Sequence, residues 1–219
     1  MTEHHLQVTR TARYYQLGTL SGSTRRVWFV CHGYGQLAAY FIRHFAFLVE
    51  ADPHLVVIAP EGLSRFYLNG TSGRIGASWM TRDDRLHEIE DHIGFLNQLA
   101  DQVLASCPPT AAVTVLGFSQ GTATIGRWLT QAHFQPTRVI LWAGGFPEAL
   151  APDAARRLLQ SVALHVVVGT GDEYVSAEKA SQLHEQLRAL GAVPQLHTFA
   201  GGHALNRPVL EALSGMETS

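Results

Sequence analysis

One short segment of the sequence has residue types that suit nucleophilic catalysis, Gly117-Phe118-Ser119-Gln120-Gly121. It follows a nearly unbroken apolar run at 111–116 and precedes a segment, 122–134, whose apolar residues share one helix face. A serine between a buried strand and a helix, with glycines two positions away on each side, is the pattern of a nucleophile elbow. The glycines leave room for the strained turn that lifts the serine hydroxyl above the sheet. The sequence therefore predicts this serine as a nucleophile.

A serine hydroxyl needs a base that accepts its proton, and a histidine base needs a carboxylate that orients its ring. Asp172 follows a buried-strand pattern at 162–168, and His203 follows the last predicted strand at 195–199. Because the carboxyl ends of parallel strands meet at one edge of a sheet, both side chains are expected beside Ser119. The order Ser, Asp, His along the chain is that of an α/β-hydrolase.

Other side chains could take these two roles. Glu173 lies one residue further from the strand than its neighbour, and Asp153 is more simply the N-cap of a short helix. Of the twelve histidines, His165 and His197 fall within strand patterns, whereas His203 lies in a glycine-rich turn. Asp172 and His203 therefore remain the favoured pair.

The oxyanion hole should combine the backbone N–H of Gln120 with one from an early strand-to-helix loop. The loop after the buried pattern at 26–31 reads His32-Gly33-Tyr34-Gly35, and Tyr34 is the predicted donor. His32 is expected to brace this turn rather than to react.

Residues 62–82 lack a clear period and are expected to form a long loop at the carboxyl end of a strand, where ligands bind in such sheets. The predicted substrate-binding residues are Phe66, Tyr67, Trp79, Met80 and Phe146. Trp79 and Met80 could equally cap the core, and the pattern leaves open whether the loop is a lid.

The strand and helix patterns alternate along the chain and predict a doubly wound, mostly parallel α/β sheet of about seven or eight strands. A single domain is expected over residues 1–219, with no insertion large enough for a separate lid domain. The alternation at 5–17 predicts one or two antiparallel edge strands. A long amphipathic helix is expected at 84–107.

The composition excludes several classes of protein. A formal net charge of -2 gives no reason to expect a nucleic-acid partner, and the charged N-terminus is neither a signal peptide nor a membrane span. Cys31 and Cys107 are expected to be core thiols in a reducing compartment, which favours a cytoplasmic protein. The histidines are scattered, His4-His5 is expected to be solvent-exposed, and we expect neither a metal nor a cofactor. The expected partner is a small ester, and the oligomeric state is not predicted.

Four motifs in order, HGYG, GFSQG, GTGDEYV and GGHAL, resemble the phospholipase/carboxylesterase family of the α/β-hydrolase superfamily. The resemblance extends from about Arg26 to Leu210. It implies Ser119, Asp172 and His203 as a triad, and Tyr34 and Gln120 as oxyanion donors. Members act on short- to medium-chain esters or acyl thioesters without a cofactor.

Two positions depart from the family pattern. Thr122 stands where a further glycine is common, and the segment at 78–82 lacks the aromatic-Asp pair of many thioesterase-like members. The main hypothesis is therefore a serine carboxylesterase that acts through an acyl-enzyme. The alternatives are an acyl thioesterase, lysophospholipase or peptidase with the same triad, or a non-catalytic binding protein of the same fold.

Overall fold

The computed structural model describes residues 1–147 and 150–215. Its main sheet has seven strands, of which the first is antiparallel to its neighbour and the other six are parallel. They are β1 (Tyr14–Leu17), β2 (Arg26–Cys31), β3 (Leu55–Pro60), β6 (Ala112–Phe118), β7 (Arg138–Trp142), β8 (Ala163–Gly169) and β9 (Gln195–Phe199). β4 (Ser64–Tyr67) and β5 (Ile75–Ser78) form a separate hairpin. The order in the main sheet is β1-β3-β2-β6-β7-β8-β9.

Helices cover both faces of this sheet. They are α1 (Ala38–Phe41), α2 (Ala46–Ala51), α3 (Arg85–Leu104), α4 (Gln120–Leu129), α5 (Pro152–Gln160), α6 (Ala177–Ala189) and α7 (Arg207–Ser214), with a 3₁₀ helix at Ile42–Phe45. α3 to α6 pack on one face, and α1, α2 and α7 pack on the other. Successive β2 residues point to opposite cores: Phe29 faces α3 and α4, whereas Trp28 faces α1 and α2. The predicted doubly wound, mostly parallel architecture is confirmed, and no separate lid domain occurs within the described ranges.

Strands that are buried on both faces match the sequence prediction best. β2 occupies residues 26–31 as predicted, and all but its first residue are buried. Each of these strands is an apolar run because two layers of helix exclude water from both of its faces. The central strands of the sheet can therefore be located in the sequence from their continuous apolar runs.

The periphery of the fold agrees with the sequence prediction only in part. The alternation at 5–17 yields one antiparallel edge strand, β1, as predicted, and residues 1–13 form no strand. Residues 62–82 are not a plain loop, because they contain the β4–β5 hairpin. The connection from β2 to β3 is not one continuous helix, because a 3₁₀ segment lies between α1 and α2.

None of the helices in the described ranges is both long enough and apolar enough to cross a membrane.

Candidate active site

Ser119 joins β6 to α4 in a conformation that few non-glycine residues adopt, with φ 53° and ψ -115°. Its backbone N–H donates to the Trp142 carbonyl oxygen at 2.8 Å on the neighbouring strand β7. A Cβ on Gly117 would lie 2.4 Å from the Gly121 carbonyl oxygen, and a Cβ on Gly121 would lie 2.3 Å from that of Cys31. The two glycines are therefore required by close backbone packing around the serine.

Thr122, which departs from the family pattern, fits into this turn through its hydroxyl. Thr122 Oγ1 lies 2.7 Å from the Ser119 carbonyl oxygen and 2.8 Å from the Gly145 carbonyl oxygen, and the residue is fully buried. It therefore ties the elbow to the loop that follows β7. The same loop passes so closely that a Cβ on Gly144 would lie 2.4 Å from the Thr122 hydroxyl.

Asp172 and His203 meet at the carboxyl end of the sheet. His203 Nδ1 lies 2.8 Å from Asp172 Oδ2, and the backbone N–H groups of Tyr174 and Val175 donate to Asp172 Oδ1. Burial by itself would raise the pKa of the Asp172 carboxyl, but the hydrogen bonds from His203, Tyr174 and Val175 outweigh it and lower this pKa. The carboxylate is therefore ionised at neutral pH and orients the imidazole through Nδ1.

The His203 ring is held between two aromatic side chains. Its centroid lies 4.9 Å from that of Phe118 and 4.7 Å from that of Tyr174. Phe118 immediately precedes Ser119, so this contact puts the imidazole beside the elbow. Within residues 1–147 and 150–215, Ser119 Oγ makes no hydrogen bond. Such bonds are often long before substrate binds.

Of the alternative side chains, none combines a carboxylate with an imidazole at this edge. Asp153 is not the N-cap of α5, since Ala151 holds that position; Asp153 lies in the first turn, 3.7 Å from Arg156. His165 Nδ1 and His197 Nε2 lie 3.0 Å apart within β8 and β9. These two histidines therefore pair with each other within the strands.

His32 is buried with both ring nitrogens engaged. Its Nδ1 lies 2.7 Å from the Gly33 carbonyl oxygen, and the Gly62 N–H donates to its Nε2 at 3.0 Å. Since Nε2 accepts, Nδ1 must donate, which fixes a neutral tautomer. Burial lowers the pKa of His32 to about 4. The ring therefore braces the turn before Tyr34, as the sequence predicts.

Two backbone N–H groups near Ser119 donate no hydrogen bond within the described residues. The Tyr34 N–H has no hydrogen-bond partner among the described residues, and the Gln120 N–H is the first of α4, which lacks an acceptor within the helix. The Tyr34 turn is held by the Gly33 N–H, which donates to the Gln36 side chain at 2.8 Å. A Cβ on Gly33 would lie 3.2 Å from Ser119 Cβ, so this turn reaches the nucleophile.

The Gln120 side chain has a role that the sequence analysis missed. Its Nε2 donates to the Met80 carbonyl oxygen at 2.8 Å and to Ser78 Oγ at 3.1 Å, while its Oε1 accepts from the Trp79 N–H at 3.2 Å. This amide therefore fastens the end of the β4–β5 hairpin to the elbow. No local sequence signal could have indicated it, because the partners are about 40 residues away.

The predicted substrate-binding residues are distributed over three places. Phe146 lines a cavity of about 530 Å³ together with Tyr174 and Gly144, next to the elbow and the His203 ring. Phe66 stacks against Tyr34 with centroids 5.2 Å apart. The other three lie apart from this cavity: Tyr67 is largely exposed at the end of β4, Met80 binds Gln120 through its backbone, and Trp79 is buried between His32 and His92.

Solved structures of esterases and of a thioesterase superpose on almost the whole of this chain. Esterase PE8 superposes with a TM-score of 0.69 at 21% identity, over 94% of this chain and 97% of that one. Acyl-protein thioesterase 2 of Zea mays gives 0.67 at 18% identity, over 93% and 96%. The Bacillus cereus carboxylesterase gives 0.65 at 17% identity, over 93% and 92%. These structures share the α/β-hydrolase fold with this protein.

At the level of sequence, no curated protein matches the chain significantly. The profile of the family described as Phospholipase/Carboxylesterase, however, matches residues 21–215, which include the elbow, the Asp172–His203 pair and the Tyr34 turn. The chain therefore belongs to the phospholipase/carboxylesterase family of α/β hydrolases.

Proposed function

We propose that this protein is a serine carboxylesterase that cleaves esters of short- to medium-chain acyl groups through an acyl-enzyme. The observation that supports this most directly is the 2.8 Å Asp172–His203 hydrogen bond beside a serine held in an elbow conformation. An ionised carboxylate, an oriented imidazole and a hydroxyl at one sheet edge are the groups that acyl transfer requires.

In the proposed reaction, Ser119 Oγ attacks the ester carbonyl carbon while its proton passes to His203 Nε2. The N–H groups of Tyr34 and Gln120 stabilise the negative charge on the carbonyl oxygen. Collapse of the intermediate expels the alcohol, which takes the proton from His203. His203 then deprotonates a water molecule that attacks the acyl-enzyme, and it returns this proton to Ser119 Oγ as the acid leaves. Asp172 stabilises the imidazolium at each stage, and the cycle uses no cofactor.

Phe146, Val175 and Leu183 line part of the cavity beside His203 and support an apolar acyl group as substrate, whereas Lys179, Gln182 and Gln186 make the rest of its lining polar. Phe146 is buried at its wall, while the exposed Tyr174 ring and the backbone of Gly144 complete the side nearest the elbow. We propose Phe146 as an acyl contact and place Phe66, Tyr67 and Met80 as further contacts near the Tyr34 turn. For Trp79, the buried position supports the alternative role in the core.

Turnover of p-nitrophenyl esters from acetate to palmitate tests the proposal. We expect the rate to peak at short or medium chains and to fall by several orders of magnitude in Ser119→Ala. The matched control is Ser106→Ala, which replaces an exposed serine two residues after α3 and should keep the wild-type rate. Wild-type turnover in Ser119→Ala would contradict the mechanism.

A thioester substrate is the second candidate, and the likeness to the maize acyl-protein thioesterase favours it. The same triad serves both reactions, so a fluorophosphonate probe and acyl-thioester substrates separate the cases. Labelling of Ser119 without ester turnover would support the thioesterase or a peptidase. Failure to label Ser119 at all would support a non-catalytic binding protein.

Cys31 and Cys107 are free thiols, which supports a reducing compartment, and we propose the cytoplasm.

A further inference from the structure

Two histidines and an aspartate from distant parts of the chain meet on the surface at the start of α3. His5 belongs to residues 1–13, which we call the N-terminal arm, whereas Asp84 is the N-cap of α3 and His87 lies in its first turn. His87 Nδ1 lies 2.5 Å from Asp84 Oδ1, and His5 Nδ1 lies 3.7 Å from Asp84 Oδ2. One ligand atom from each residue lies within 4.8 Å of the other two.

We propose that His5, Asp84 and His87 bind a divalent transition-metal ion of the zinc type. Imidazole nitrogen and carboxylate oxygen are ligands that zinc prefers, at about 2.0–2.2 Å from the ion. Asp84 and His87 are three residues apart at the start of a helix and face the same side. The three side chains are 42%, 46% and 49% exposed, so they can rotate by the small amount that coordination needs.

The surroundings of the ligands also suit a cation. Glu3 Oε1 lies 3.0 Å from His5 Nε2, so a carboxylate can hold the ring nitrogen that does not face Asp84. The carboxylates of Glu90 and Asp91, three and four residues further along α3, add negative charge near His87. This negative field opposes the positive end of the α3 dipole, which by itself would disfavour a metal ion.

Binding at this site would fasten the N-terminal arm to α3. Further along the arm, Val8, Arg10 and Ala12 line a cavity of about 540 Å³ whose opposite side is formed by α3 residues, including Phe95 and Leu99. An ion that joins His5 to Asp84 and His87 would hold the arm across this cavity. The proposed site is therefore a staple that orders the arm, separate from the esterase site.

Zinc titration of the metal-stripped full chain by isothermal calorimetry tests the site. We expect one ion per chain, with affinity reduced about tenfold or more in His5→Gln, Asp84→Asn and His87→Gln. All three positions are exposed, and asparagine tolerates the left-handed conformation of Asp84 (φ 46°), so the variants should fold. The controls are His4→Gln, next to the site, and His133→Gln, whose ring pairs with Asp101 at 3.0 Å. Both should bind as the wild type does.

Two patterns of affinity would overturn the proposal. Equal losses in the control variants would mean binding by scattered surface histidines. A loss in His5→Gln alone would mean that the arm binds zinc without α3.

Cleavage by trypsin after Arg10 tests the staple independently, since Arg10 lies in the exposed arm. Zinc should slow this cleavage several-fold in the wild type and leave the rate unchanged in His87→Gln, which also controls for any effect of zinc on the protease. Cleavage of the wild type at the same rate with and without zinc would refute the staple.

Discussion

Gly121 is where the elbow packs most closely against β2, and its replacement by alanine tests the packing argument. The added Cβ would lie 2.3 Å from the Cys31 carbonyl oxygen, whereas ordinary contacts begin at 3.4 Å. Because 2.3 Å is about 1 Å shorter than 3.4 Å, α4 and the end of β2 would have to move apart by about 1 Å. The second obstacle, the His32 carbonyl oxygen at 2.8 Å, is also backbone and cannot rotate away.

This separation should damage the oxyanion hole before it unfolds the protein. α4 supplies the Gln120 N–H and the segment after β2 supplies the Tyr34 N–H, so a shift of about 1 Å takes one donor out of hydrogen-bond range. Loss of one such donor costs about 10²–10³ in kcat. Overpacking should lower the free energy of unfolding by about 1–3 kcal/mol.

The measurements are kcat on p-nitrophenyl butyrate and unfolding in urea. Gly94→Ala is the matched control, because Gly94 lies in α3 with no atom within 4 Å of its added Cβ. This variant should keep wild-type activity and gain about 1 kcal/mol in stability from the better helix former. If Gly121→Ala matched Gly94→Ala in both measurements, the close-packing argument for the elbow would be refuted.

Three further predictions concern the same machinery and the core. Asp172→Asn should lower kcat by about 10³–10⁴ with little change in the urea midpoint, because the amide favours the wrong tautomer of His203; an active variant would exclude Asp172 from the triad. Gln120→Ala should cost about 1–3 kcal/mol in urea unfolding, since it leaves the Trp79 N–H unpaired and the Met80 carbonyl oxygen with the Ser78 hydroxyl alone, and unchanged stability would contradict this role. Burial lowers the pKa of three core histidines to about 4 from 6.5, so the unfolded state binds more protons between these values. They are His32, His92 and His165. Stability should therefore fall as the pH falls from 7 to 5, by about 2 kcal/mol for each of the first two histidines and by less for the third, whose pKa is also lowered by the charge of Arg138. Equal urea midpoints at pH 7 and pH 5 would contradict the last prediction.

The central fold was predictable because burial on both faces leaves a continuous apolar run. The bounds of β2 agree to the residue, and β6 extends only two residues beyond the apolar run that predicts it. The β4–β5 hairpin was not predictable in this way, because glycines interrupt its alternation. Gly76 is required by a tertiary contact instead: a Cβ there would lie 2.5 Å from the Gly35 carbonyl oxygen.

The candidate site was predictable to the extent that strand ends specify it. Ser119 and Asp172 each follow a buried strand and His203 follows the exposed edge strand β9, so the parallel topology puts all three at one edge. The contacts of Tyr174 with the His203 ring and of the Gln120 amide with the hairpin depend on side-chain packing between distant segments. The grouping around Asp84 was missed for the same reason.

The order of strands in the sheet has a consequence for how the protein is made. From β6 onward, each newly synthesised strand joins the same growing edge, in the sequence β6, β7, β8 and β9. The nucleophile strand is therefore in place long before the ribosome reaches the loop after β9, which supplies the imidazole. A nascent or prematurely terminated chain that ends before this loop has the proposed nucleophile without its base. The proposed esterase activity should consequently appear only after the loop that follows β9 has been synthesised.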